Sequence, residues 1–525
     1  MCDLCDPFLT RHESVMPRIN PATNKSGHWN RGLIFLFVIE NRRLQMKRRR
    51  FIGTVTAGLC AGSAMTAASG TANPVNVLLM LADDMGFGDL GCYGQTIITT
   101  PNFDRMAEEG MRFTRSYSGS TVCAPSRCVL MTGKHIGHAR VRGNGPGELL
   151  PEDMTLAKLM KNAGYTTGYF GKWGVGRPDP AGDDPNRNGF DEFYGYVSMN
   201  HAHNFFPEFM VHNGQKIKLR NELMEQFKGD FQANPQTYGS GVAREKIDYA
   251  PDLIREKLFE FLAANHQRPF FIYYAPNTPH ANNEGSKFDL HRGLEVPAFG
   301  EFADRDWPVE EKGFATKIRN LDNDVGRLMA KLKEYGIERN TLFIFSSDNG
   351  PHQEGGHQME FFDSNGEKRG MKRDLYEGGV RVPMIIRQPG TVPAGTLNES
   401  IVAFQDAMPT LAELTGQPCP ETDGRSLLPY LTGAEKFDID RSLYWEFGEG
   451  TSKQAILKGD WKLVRFYPKK GKTKQATPYM ELYNVTTDPS EEHDVAQKHP
   501  ERVANLLREM RSMMDADTII NDPDT

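Results

Sequence analysis

After Asn73 the chain alternates short apolar runs with longer stretches in which apolar residues recur every three or four positions. The short runs are "NVLLMLADDMG" (apolar over Val77–Leu81), "TTGYFGKWG" ending at Lys172, "PFFIYYAPNTPH" ending near His280, "NTLFIFSSDNGPH" (Leu342–Phe345) and "VPMIIRQPG" (Val382–Ile386). Runs apolar on both faces read as buried parallel strands. The longer stretches read as helices. "TPNFDRMAEEGMRF" opens with Thr100 as an N-cap and Pro101 at N1, and stops at Gly110. "TLAKLMKNAGY" carries Leu156, Leu159 and Met160 on one face and stops at Gly164. "FATKIRNLDNDVGRLMAKLKEYGI" places Ile318, Leu321, Val325, Leu328 and Leu332 at helical spacing and ends at Gly336. The alternation predicts an α/β fold, a central mostly parallel sheet flanked by helices. From Arg441 the pattern changes. "RSLYWEF", "QAILKGDWKLVRFY" and "PYMELYNV" predict antiparallel strands with a turn at Gly459-Asp460, and "PERVANLLREMRSMM" predicts a closing amphipathic helix.

The chain has 525 residues, 38% hydrophobic and 10% aromatic, with a net charge of −6. That length allows two to four domains, or one large α/β sheet filling most of it. No long basic run follows residue 50, which argues against nucleic acid as a partner. The N-terminal part is of another kind. "MKRRRFIGTVTAGLCAGSAMTAASGTA", from Met46, has a basic cluster, a moderately apolar run and small residues around Ala67–Ala72. This is the layout of an export signal, twin-arginine-like at Arg48-Arg49. The expected organisation is therefore an over-extended reading frame at 1–45, a signal at 46–73, a catalytic region at 74–440 and a C-terminal α+β subdomain at 441–525. The expected location of the mature chain is periplasmic or extracellular. "LIFLFVI" (Leu33–Ile39) is too short to span a bilayer, and no later segment reaches the required length. Of the seven cysteines, Cys2, Cys5 and Cys60 fall in the segment expected to be removed. Cys92, Cys123, Cys128 and Cys419 remain, too few for a disulfide framework in a chain of this size.

The candidate chemistry sits at the ends of the predicted strands. Asp83-Asp84, Lys172, His280 and Asp348-Asn349 each follow a separate apolar run. The C-terminal edge of a parallel sheet is where ligands bind, so these groups, distant in sequence, are expected in one pocket. Three carboxylates and an amide are hard oxygen donors that suit Ca²⁺ or Mg²⁺. Lys172, His280, Lys372 in "GMKRDLYEGGVRVP" and Arg127 in "STVCAPSRCVLMTGKH" add positive charge, and together these groups describe a pocket for a tetrahedral oxyanion.

"CAPSR" followed by "MTG" resembles the signature of the type I, formylglycine-dependent sulfatases, of the alkaline phosphatase superfamily. At average composition such a match arises by chance in roughly one chain of this length in several hundred. The resemblance runs from "NVLLMLADDMGFGDLGCYG" to "LYNVTTDPSEEHDVA". It implies an alkaline-phosphatase-like fold and the hydrolysis of sulfate esters, of a sulfated small molecule or carbohydrate. It implies that Cys123 is oxidised to formylglycine by a formylglycine-generating or anaerobic sulfatase-maturating enzyme. Asp83, Asp84, Asp348 and Asn349 would hold one Ca²⁺, with the modified Cys123 in its shell. Arg127 would hold the nucleophile ready, Lys172 and Lys372 would bind sulfate oxygens, and His280 would protonate the leaving alcohol. One position departs from the family pattern. Where the family has "GKWH" or "GKxH", this chain has "GKWG", with Gly174 in place of the histidine. His201 and His203 in "NHAHNFFPEF" are candidates to fill that gap or to contact substrate. Two other readings stay open at this point: a phosphodiester or phosphonate ester hydrolase on the same fold, and an inactive sugar-binding relative, which Gly174 would allow.

Overall fold

The computed structural model describes residues 74–145, 147–176, 184–228, 238–434, 438–468 and 477–515. The segments expected to be an extended reading frame and an export signal lie outside them. The main sheet is built from β1 (Asn76–Ala82), β2 (Met111–Phe113), β3 (Thr166–Lys172), β4 (Glu192–Tyr196), β5 (Phe209–His212), β6 (Gln215–Lys218), β7 (Phe270–Ala275), β8 (Thr341–Ser347), β9 (Met384–Arg387) and β10 (Thr396–Asn398). Their spatial order is β10-β2-β9-β8-β1-β7-β3-β4-β5-β6. The five central strands, β8, β1, β7, β3 and β4, are parallel to one another.

The apolar runs explain this centre. Every residue of β1 is buried. Alternate residues feed opposite faces: Val77, Leu79 and Leu81 join one hydrophobic cluster, and Leu78, Met80 and Ala82 join another. A strand covered on both faces loses the polar alternation of a half-exposed one. Each large apolar side chain fully buried this way contributes about 1.5–3 kcal/mol.

Six helices matter here: α1 (Pro101–Glu108), α2 (Cys123–Thr132), α3 (Leu156–Asn162), α4 (Ala250–Asn265), α5 (Val309–Glu334) and α6 (Pro500–Ser512). In α3 Thr155 caps the first turn, accepting from the Lys158 amide at 3.2 Å. Thr100 precedes α1, but its hydroxyl accepts from the Gly91 amide instead, at 2.8 Å. The helix α5 buries Ile318, Leu321, Val325, Leu328 and Leu332 and starts earlier than the apolar pattern does. The sequence reading assigned no element to α2, which is buried on all sides and so has no polar face to mark it.

One strand runs against expectation. The run ending at Ile386 forms β9, which pairs antiparallel with both β8 and β2. The chain leaves β8 at its C-terminal edge and bonds back to that region, the Lys372 amide donating to the Pro351 carbonyl at 2.8 Å. Re-entering the sheet from the edge it left makes the next strand antiparallel, whereas a parallel strand needs a crossover.

A second sheet of four strands holds β11 (Ser442–Phe447), β12 (Ser452–Lys458), β13 (Trp461–Tyr467) and β14 (Tyr479–Asn484), each antiparallel to the next. Gly459 turns the chain between β12 and β13 at φ 57°, a left-handed conformation that glycine adopts without a Cβ penalty. Helix α6 buries Leu506 and Met510. Tyr444, Ile456, Leu463 and Leu482 of this sheet belong to the same hydrophobic cluster as Val77 and Leu79 of the main one.

Candidate active site

The parallel centre of the sheet delivers its strand ends to one place. Asp83 and Asp84 follow β1, Lys172 ends β3, and Asp348 and Asn349 follow β8. His280 lies on the loop after β7, where the Asp83 amide donates to the Thr278 carbonyl at 3.1 Å. Cys123 is the first residue of α2, and its next amide, Ala124, is satisfied by the Asn144 side chain at 3.1 Å. Ligand atoms of Asp83, Asp84, Cys123 and His280 all lie within 4.8 Å of one another. Asp83, Asp84, Cys123, Lys172, Asp348 and Asn349 are each fully buried.

Opposite charges interlock in this pocket. Lys172 donates to both oxygens of Asp83, at 3.0 and 2.8 Å. Arg127 grips Asp348 through Nε and Nη2 at 3.0 and 2.8 Å, and its Nη1 donates to the Lys172 carbonyl at 2.8 Å. Its Nη2 also lies 3.4 Å from Asp83. Arg127 therefore orders the carboxylates and the β3 terminus. Lys372 donates to Asp84 at 2.7 Å and to Glu354 at 3.1 Å, and its Nζ lies 3.1 Å from His280 Nε2. The other ring nitrogen of His280, Nδ1, donates to the Ala281 carbonyl at 2.6 Å. That fixes the ring so that Nε2 faces the charged cluster, 3.4 Å from Asp84.

Burial and charge crowding set the titration of these groups. Burial pushes the Asp348 carboxyl up to about 7, the nearby Asp83 charge adds to this, and Arg127 opposes it. Burial also raises Asp84, with Lys372 opposing and Asp83 and Glu354 adding to the rise. Asp83 is pushed up by burial too, yet Lys172, His280 and Arg127 outweigh that and hold it well below the usual carboxylate range. Burial drives the Cys123 thiol up and the His280 imidazole down. Crowded buried carboxylates of this kind are relieved by a cation. The amide beside them fits the same conclusion. Asn349 donates from Nδ2 to Asp84 at 2.7 Å, while its buried Oδ1 has no hydrogen-bond partner among the described residues. An orphaned carbonyl oxygen beside three carboxylates is a hard-cation donor set.

Gly174 lies beside Arg127. It has φ 73°, and a Cβ there would stand 3.1 Å from the Met199 sulfur and 3.3 Å from Arg127 Cδ. Of the two candidate loop histidines, the structure brings His203 to the pocket. Its ring stacks on His280 at 4.7 Å and 13°, and its Nδ1 lies 3.0 Å from Glu284. His201 is placed elsewhere: it is buried against Tyr196 and Phe209, with Nε2 donating to the Phe209 carbonyl at 3.0 Å.

Sequence reasoning missed Glu354 and His352. Glu354 also takes Arg373 at 2.6 Å, and its carboxylate groups with Asp84 and His352. The signal available was proximity, since both follow Asp348-Asn349 within a few residues. A cleft of about 1020 Å³ is lined among others by Lys134, Arg142, Asn144, Phe447 and Glu449. Asn144 links it to the start of α2, and Glu449 lies 3.8 Å from Arg373.

A hard-cation donor set and fixed positive charges meeting a candidate nucleophile at the C-terminal edge of a parallel sheet define a hydrolase of esters of a tetrahedral oxyanion. The profile of the sulfatase family matches residues 75–417, and a second, described as N-sulphoglucosamine sulphohydrolase, C-terminal, matches residues 366–518. The chain is 30% identical over 466 residues to N-acetylgalactosamine-6-sulfatase of Canis lupus familiaris, covering 83% of this chain and 81% of that one. It is 33% identical over 390 residues to arylsulfatase A of Homo sapiens, covering 71% of each. Its fold is similar to the crystal structure of Ps i-CgsB in complex with k-i-k-neocarrahexaose, with a TM-score of 0.67 and 27% identity, over 86% of this chain and 96% of that one. The chain belongs to the sulfatase family and is a sulfuric ester hydrolase of alkaline-phosphatase-like fold.

Proposed function

We propose that this sulfatase removes sulfate from a carbohydrate, using an oxidised Cys123 as nucleophile and a calcium ion held by Asp83, Asp84, Asp348 and Asn349. The observation that carries the reading is the meeting of Cys123 with Asp83, Asp84 and His280 inside one 4.8 Å cluster. The carbohydrate rests on the relatives, one named N-acetylgalactosamine-6-sulfatase and one solved with an oligosaccharide. Calcium in this donor set would polarise the sulfate oxygens and favour an ionised nucleophile. Oxidised by a maturation enzyme to an aldehyde and hydrated, Cys123 offers one hydroxyl to attack sulfur and a second whose proton loss expels sulfate; a serine has no second hydroxyl. Lys172 and Lys372 neutralise the sulfate oxygens as charge builds on them. Arg127 keeps Asp348 and the β3 terminus in register. His280 passes a proton to the departing alcohol oxygen through Nε2, which takes it up from the Lys372 ammonium 3.1 Å away, its ring held by the Ala281 carbonyl and the His203 stack. Export rests on the basic and apolar stretch from Met46; no helix among the described residues is long and apolar enough to cross a membrane.

The test compares 4-nitrophenyl sulfate with 4-nitrophenyl phosphate and bis(4-nitrophenyl) phosphate at equal concentration, with and without a calcium chelator. The sulfate ester is expected to turn over fastest, and Cys123→Ala to lose roughly 10³-fold or more in rate. Faster turnover of either phosphate ester would overturn the substrate class.

A further inference from the structure

Lys317 sits on α5, between the buried Phe314 and Ile318, and is fully buried. Its ammonium lies 3.4 Å from the centre of the Phe205 ring. Among the described residues it forms no ion pair; Glu295, the acid that acts on it most strongly, is bonded to Lys246 at 2.5 Å. A charge withdrawn from water without a carboxylate partner is costly, and burial drives this lysine's pKa well down. A methionine would fill the same space over Phe205 without that cost. What the lysine adds is an N–H donor, and its hydrogen bond goes to one atom, the backbone carbonyl of His280, at 2.9 Å.

We propose that Lys317 is a positioning residue for His280, anchoring the peptide unit that follows it so that Nε2 stays aimed at the leaving-group oxygen. The inference rests on His280 acting as the general acid. The geometry links the two. The Lys317 bond falls on the carbonyl of His280, and the imidazole is oriented by the next carbonyl, that of Ala281, at 2.6 Å. The two carbonyls lie on successive peptide units joined at the Ala281 Cα, and the first of these units is bonded to the His280 Cα; its release lets that unit rotate and shifts the Cα that carries the imidazole. Separate anchors act on either side of that unit: the Asp83 amide donates to the Thr278 carbonyl at 3.1 Å, and the Asn282 amide, in the peptide unit of the Ala281 carbonyl, donates to the Gly293 carbonyl at 2.7 Å. Loss of Lys317 should therefore misplace the acid while leaving the carboxylate cluster and the nucleophile where they are.

A misplaced acid matters only where the leaving group needs a proton. A sugar alkoxide does, and nitrophenolate barely does. The experiment measures Lys317→Met, His280→Ala and the double variant on N-acetylgalactosamine 6-sulfate and on 4-nitrophenyl sulfate. Lys317→Met should lower kcat on the sugar sulfate by about 10- to 100-fold, the scale of a catalytic group displaced by about 1 Å. On the aryl sulfate its kcat should stay within about 3-fold of the parent, with KM unchanged on both, because nothing that binds sulfate has moved. The double variant should match His280→Ala alone. Equal losses on the two substrates, or losses in the double variant that add, would overturn the proposal. If His280→Ala itself lost equally on both, the general-acid reading would fail, and the proposal with it. Should Lys317→Met give no folded protein, Lys317→Gln, which shortens the reach and removes the charge, is read on the same pair.

Discussion

Gly174 stands where the resemblance led us to expect a histidine, and its surroundings give the difference a physical form. The backbone there is left-handed, and Met199 and Arg127 occupy the space a side chain would enter. The glycine was legible in the sequence, but its consequence was not, because Met199 reaches it only through the fold. Restoring histidine should not restore a missing function. Gly174→His places a Cβ carbon where L residues carry a strain of roughly 1–2 kcal/mol, and pushes on Arg127, which holds Asp348. The unfolding midpoint should fall and activity on 4-nitrophenyl sulfate should drop. A variant as stable as the parent and more active would contradict this account. His203 poses a separate question, since it touches His280 through its ring face. It supports the imidazole without standing beside Cys123 in the 4.8 Å cluster.

At the scale of elements, the site is a property of strand ends. The parallel strands β1, β3, β7 and β8 carry no chemistry along their lengths, and the chemistry begins where each stops. This is why so much of the site could be read from sequence. An apolar run that ends in Asp-Asp or Asp-Asn shows both the strand and the edge. The loop after β8 was less legible, since Glu354 and His352 lie in a stretch with no periodicity, and their roles depend on where Lys372 returns. Helix α2 escaped notice because a helix buried all round has no amphipathic pattern. The antiparallel β9 escaped because apolarity reports burial and not strand direction. The strand-end arrangement predicts a shared metal site. After dialysis against excess calcium, the parent should retain about one ion per chain, and Asp83→Ala and Asp348→Ala should both lose it. Calcium at about 100 times its Kd should add about 2.7 kcal/mol to stability, reversed by a chelator. Full calcium occupancy in both variants would remove the shared site.

At the scale of the molecule, the small sheet is tied to the catalytic region by buried charge as well as by apolar contact. Lys462 on β13 lies 3.0 Å from Glu377 and 3.4 Å from Glu491, with all three side chains fully buried. Burial pushes the Glu377 carboxyl up, but Lys462 and Arg381 outweigh it and hold it at about 2. A depressed carboxylate contributes stability that is present above its unfolded value of 4.5 and lost as the pH falls toward 2. Burial raises Glu491 to about 7, which opposes stability at higher pH. Lys462→Met leaves these carboxylates without their shared cation and should cost about 3–5 kcal/mol in denaturant unfolding near pH 8. The deficit should shrink toward pH 5 as the carboxylates take up protons. A pH-independent deficit would mean that Lys462 acts through packing alone. Catalysis is the larger claim, and it turns on the thiol buried at the head of α2. Protein from a host with a maturation enzyme can be digested and the Cys123 peptide weighed against activity on a sulfate ester. The account predicts a peptide about 18 Da lighter than the cysteine form, as replacement of the thiol by an aldehyde requires, in a fraction that rises in proportion to specific activity. Fully active enzyme carrying an unmodified Cys123 thiol would contradict it.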